Sequence, residues 1–130
     1  MIGKLYPKFF LLAGCVTGLL AVVLGAFGAH GLEKIVEPKI LETYQTGVQY
    51  QFYHSFALIT AGMFAHFWPE TKHFNAAGIS FLIGIIIFSG SLYLYTLTGN
   101  KVFGMITPLG GLSFIFGWGL LIIALWKSKI

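Results

Sequence analysis

A chain of 130 residues that is 57% hydrophobic and 9% charged, with a mean hydropathy of +0.84, is excluded from the ordinary soluble domains, in which about a quarter of residues are charged. Its net charge of +4 sits on lysines near the ends of apolar runs, with no arginine for a bidentate phosphate grip, so it informs orientation and excludes a nucleic-acid partner. Cys15 is the single cysteine, which rules out an intramolecular disulfide and a cysteine-based zinc site.

Crossing about 30 Å of hydrocarbon takes an α-helix of roughly 20 residues, and four windows meet that length. The first runs from about Phe9 to Ala29 (FFLLAGCVTGLLAVVLGAFGA). Leu12-Ala13-Gly14-Cys15 has the form of a lipoprotein cleavage box, but only about six apolar residues precede it, fewer than the roughly 7 to 15 of a signal-peptide core. The first span is therefore expected to stay in place, neither lipidated at Cys15 nor cut after Gly28 or Ala29. The second window runs from about Tyr44 to Trp68 and is closed by Pro69. Glu37 and Pro38 read as an N-cap and first helical position, so its helix is expected to start outside the hydrocarbon. The third window covers about Phe74 to Tyr95. The fourth covers about Pro108 to Trp126, with Thr107 as the expected N-cap and Pro108 as the first helical residue.

These windows predict a multi-pass plasma-membrane protein: an all-α, four-transmembrane-helix up-down bundle forming one domain over residues 1–130. Lys4, Lys8, Lys72, Lys127 and Lys129 fall on one side, against Lys34, Lys39 and Lys101 on the other. The positive-inside rule then places both termini in the cytoplasm.

Up-down threading gathers GAFGAHGL, YQTGVQYQFYHS, FSGSLYLY and TPLGG on the external face. Within span two, Glu42, Gln45, Thr46, Gln49, Tyr50, Tyr53 and His54 follow helical spacing, and amides or imidazoles in hydrocarbon need partners. This broad face is expected to point into the bundle or toward a polar cavity, where neighbours can bond it. The candidate pocket residues are His30, Gln45, Gln49, Tyr50, Tyr53, His54, Ser89, Ser91, Tyr93 and Thr107. They read either as interhelical glue or as the lining of a ligand or ion pocket. Gly14 and Gly18 form a GxxxG, and Ala76, Ser80 and Gly84 recur every four residues. With Gly25, Gly28, Gly90, Gly110, Gly111 and Gly117 they are expected to serve close helix packing.

No catalytic set emerges. His30 and His54 lie at different depths, which argues against a metal site with Glu33 or Glu42. Ser89 and Ser91 lack a nucleophile elbow, and no nucleotide loop is present. No metal or cofactor is expected.

GAFGAHGL, YQTGVQYQFYHS, FSGSLY and TPLGGLSFIFGW, in this order over almost the whole chain, resemble the YgdD/YwdK-like family of small bacterial membrane proteins, domain of unknown function 423. The resemblance implies a four-helix protein of the bacterial plasma (inner) membrane. It carries no established activity, and so no catalytic residue. Two functional classes stay open beside a membrane enzyme. One is a structural or accessory protein whose small-residue faces bind copies of itself or another membrane protein. The alternative is a transporter or channel component holding a small solute, ion or lipid headgroup in the external polar pocket.

Overall fold

Four helices account for most of the computed structural model, which describes residues 2–130, with side-chain surroundings from residue 6 onward. Helix α1 (Ile2–His30) leads through a short 3-10 turn, Leu32–Lys34, to Glu37. Glu37 is extended and delivers Pro38 as the first residue of α2 (Pro38–Phe67), the expected start. Thirty residues make a rod of about 45 Å, longer than the hydrocarbon is thick. Helix α3 (His73–Thr98) is a rod with a π-helical turn at Ile85–Ser89. Helix α4 (Lys101–Lys127) closes the chain. No strand is present among the described residues.

The start of α4 differs from expectation. Thr107 is not an N-cap and Pro108 lies inside the helix, because two stronger signals sit upstream. Gly99 takes φ +68°, the left-handed conformation that closes a helix without strain only when Cβ is missing, and its N–H bonds Tyr95 O at 2.7 Å. Asn100 then caps α4, its Oδ1 accepting from the Val102 N–H at 3.0 Å. Thr107 Oγ1 instead donates back to Phe103 O at 3.3 Å within the helix. Asn100→Ala is expected to lower stability by about 1 kcal/mol, read as a lower midpoint in denaturant unfolding; an unchanged midpoint would remove Asn100 as the cap.

Helix α1 lies antiparallel to α2 along its length, and glycines bring the two close. Gly28 meets the Tyr44 ring, Gly25 meets Val48, and Gly14 and Gly18 meet Ser55; at the other end Gly62 sits against Pro7 and Phe10. Helices α3 and α4 close in the same way, with Gly84 on Phe114, Gly117 on Phe81 and Gly110 on the main chain of Phe88. Such small-residue contacts matter because lipid tails are as apolar as leucine and give side chains no reason to leave them. The apolar core (Phe10, Leu58, Ala61, Phe74, Phe81, Phe114 and Leu121) occupies the half nearer the α2–α3 turn. The buried polar groups of α2, Gln51, His54 and Ser55, sit around the middle of the helix, where His54 meets the core at Phe114.

Helices α1, α3 and α4 are each long and apolar enough to cross a membrane. Around them Leu12, Val16, Leu19, Val23, Ile115 and Ile122 point outward, as lipid-facing side chains do. Helix α2 differs in carrying polar side chains on both its inward and its outward faces.

Candidate functional site

The inward face of α2 repeats Tyr44, Gly47, Gln51, His54, Ser55 and Leu58, all buried. Gln51 lies at its centre. Its Nε2 donates to Thr17 O of α1 at 2.7 Å, and its Oε1 accepts from the Tyr93 hydroxyl of α3 at 2.6 Å. One carboxamide therefore ties three helices, using both its donor and its acceptor end. One turn on, Ser55 Oγ donates to Gln51 O at 2.7 Å and lies 2.8 Å from Thr17 Oγ1. Two turns earlier, the Tyr44 hydroxyl donates to Leu24 O. Ser89, in the π-helical turn, reaches Gly47 O at 2.6 Å. Gly47 packs directly against Leu92 and Tyr93, so the missing side chain lets α3 approach the α2 carbonyl.

His54 connects α2 to α4. Trp118 Nε1 can only donate, so at 3.1 Å His54 Nε2 must accept. The Nδ1 atom, 2.7 Å from Tyr50 O, must then carry the proton and donate. Both nitrogens are committed, and the ring lies flat on Phe114 with centroids 3.5 Å apart and planes 10° from parallel. This imidazole holds helices together and offers no free lone pair to a metal or a substrate proton. Ser91 and Thr107 bond across α3 and α4, and Ser113 Oγ donates to Ser80 O at 2.7 Å. Among the described residues no three His, Cys, Asp or Glu side chains converge as metal ligands would.

A family model described as "Protein of unknown function (DUF423)" matches residues 24–111, the segment that supplies most of these contacts. The chain belongs to the DUF423 family. It is 43% identical over 117 residues to the UPF0382 membrane protein YwdK of Bacillus subtilis (strain 168), covering 90% of this chain and 95% of the relative. It is 41% identical over 120 residues to the UPF0382 membrane protein SH2409 of Staphylococcus haemolyticus, covering 92% and 97%. A UPF0382 membrane protein of Haemophilus influenzae is 39% identical over 120 residues, with 92% and 95% covered. No solved structure matches the chain. This DUF423 chain is a membrane protein, as its relatives are.

The candidate pocket residues separate into two groups in this DUF423 fold. His54, Ser89 and Ser91 are buried in the bonded cluster, with Tyr93 and Thr107 at its edge. Tyr50 is 39% exposed, its ring stacked on Phe88 at 4.7 Å. Gln45, Gln49 and Tyr53 face outward, and His30 is exposed at the end of α1. Helix α2 is thus rotated from the expected sense: the Glu42–Gln45–Gln49–Tyr53 side points away from the bundle. Gln51, Ser55 and Tyr44 take interior places that were not assigned to them, with half-buried Thr17 and the indole N–H of the more exposed Trp118 as partners of the cluster. A usable signal was the four-residue step Gly47–Gln51–Ser55, in which two small residues flank an amide as in a packed seam. Among the candidate packing residues, Gly14, Gly25, Gly28, Gly84, Gly110 and Gly117 lie in close contacts. Gly18 and Gly111 have looser ones, and Gly90 meets nothing within 4 Å. Buried Ser80 contributes its carbonyl to Ser113. Gly47, Gly62 and Gly78 add three tight contacts outside that set.

Proposed function

We propose that this protein is a structural or accessory component of the bacterial plasma membrane, crossing it four times with both termini in the cytoplasm. In this reading residues 1–130 form one domain that pairs with a second copy through the outward face of α1 and α2. The carrying observation is the pair of amides, Gln45 and Gln49, on that outward face. Gln49 borders a groove of about 240 Å³ whose other walls include Ala21, Gly25, Ala26, Val48 and Tyr53. Gln49 lies five residues, or roughly 8 Å, past Tyr44, where the second span is expected to enter the hydrocarbon, and an amide without partners there is costly. A carboxamide both donates and accepts, so a two-fold contact lets each Gln49 bond its own counterpart. The alanines and glycine beside it allow a second helix to come close.

Four crossings are supported by the way α2 accompanies α1, from Tyr44 on Gly28 at one end to Gly62 on Pro7 at the other. A helix packed along the whole of a membrane span is held at the same depth. Five lysines against three support the cytoplasmic termini. A transporter or channel would require open polar space inside, whereas Gln51, Ser55, Ser89 and His54 bond within the bundle.

Native mass spectrometry from mild detergent tests the pairing. Wild-type protein is expected as a dimer. Gln45→Leu with Gln49→Leu should weaken it at least tenfold, since interhelical hydrogen bonds contribute about 0.6 to 2 kcal/mol each. A monomeric wild type, or a double variant that dimerises equally well, would overturn the proposal.

A further inference from the structure

The other end of the bundle carries a second polar feature that self-association does not use. The α2–α3 turn and the tail after α4 enclose a groove of about 570 Å³ lined by Glu70, Thr71, Lys72, His73, Lys127 and Lys129. Three lysines line it beside one glutamate and one histidine. Positive-inside topology asks only that lysines lie on this side of the membrane; it does not ask them to converge on one groove. Helix α3 also begins at this groove with no side-chain cap and no acidic residue in its first turn, so the positive end of its dipole adds to the lysines, with Glu70 as the groove's one acidic side chain. Each wall begins just beyond a tryptophan, Trp68 on one side and Trp126 on the other, and Trp126 is 88% exposed. Tryptophans mark the interface between hydrocarbon and headgroups. The groove therefore opens at the level where lipid phosphates lie.

We propose that this groove binds a phosphate group, presented either by the headgroup of an anionic phospholipid or by free phosphate. Lys72, Lys127 and Lys129 supply positive charge and N–H donors, and Thr71 a hydroxyl. Lysine serves such a ligand as a movable point charge and needs no fixed fork geometry.

The full chain in mild detergent is titrated with dioleoyl-phosphatidylglycerol or dioleoyl-phosphatidylcholine, and retained lipid is counted by native mass spectrometry. In a second arm, the melting temperature is followed with inorganic phosphate against chloride at matched ionic strength. Preferential retention of phosphatidylglycerol without a phosphate-specific melting shift assigns the site to a lipid headgroup. A phosphate-specific shift without lipid preference assigns it to the free ion. In either case Lys72→Gln, Lys127→Gln and Lys129→Gln together should abolish the effect, while Lys34→Gln with Lys101→Gln at the opposite end should leave it intact. Lys129→Gln alone, outside any helix, should weaken binding about fivefold, the weight of one lysine at an anionic surface. This single change keeps the test valid if the triple variant is unstable. The proposal is overturned if wild-type protein shows neither effect, if Lys129→Gln binds as wild type does, or if the opposite-end variant loses binding equally.

Discussion

Gly110→Ala is expected to destabilise the fold by about 3 kcal/mol, the upper range for overpacking a tight interior. A methyl group there would fall on the main-chain nitrogen of Phe88 and within 2.7 Å of its Cα. Where a glycine faces a side chain, a rotamer change relieves the clash; a helix backbone has no such freedom, so α3 and α4 must separate. Separation would also loosen the flanking contacts of Gly84 with Phe114 and Gly117 with Phe81. Gly90→Ala is the matched control. Gly90 is helical with nothing within 4 Å of its added Cβ, so the substitution should be neutral or stabilise by up to about 1 kcal/mol through helix propensity. Unfolding in graded sodium dodecyl sulfate, followed by circular dichroism, should show a lower midpoint for the first variant alone. Equal midpoints would mean that α3 and α4 do not touch at Gly110.

Gln51→Leu should lower stability by about 2 kcal/mol, since removing one partner leaves a buried polar group unmatched. The Tyr93 hydroxyl would lose its acceptor and Thr17 O a donor. Tyr93→Phe removes the hydroxyl itself and should cost less. Because both changes break the same bond, the double variant should be milder than the sum of the singles. Gln49→Leu, two residues away on the outward face, should leave the unfolding midpoint in place. If Gln49→Leu destabilises as much as Gln51→Leu, α2 faces the bundle in the other sense. The two glutamines thus separate folding from association: one closes three helices together, the other is offered to a second copy in the pairing proposed above.

Much of the architecture was legible because membrane physics constrains it narrowly. The apolar runs of α1, α3 and α4 are continuous and long enough for a helix to cross lipid with its backbone bonded internally. The Glu37–Pro38 entry to α2 and the glycine stripe of α1 follow from rules of one or two residues. The start of α4 was misplaced because Thr107–Pro108 and Gly99–Asn100 both have the form of a helix boundary. Proline is tolerated within a membrane helix, and the left-handed Gly99 followed by the Asn100 cap set the actual start.

By itself, then, the sequence determined the membrane setting, four helical segments, family membership and which helices could approach closely. The tertiary structure decided which side of α2 is interior. Polar residues circle that helix, Gln45 and Gln49 on one side and Gln51 and Ser55 on the other, so helical periodicity supports either rotation. The choice is made by complementary shape: Gly28, Gly25 and Gly18 on α1 leave hollows that Tyr44, Val48 and Ser55 fill. Once those side chains are seated, Gln51 is carried onto Thr17 and Tyr93 while Gln49 is turned away from the bundle.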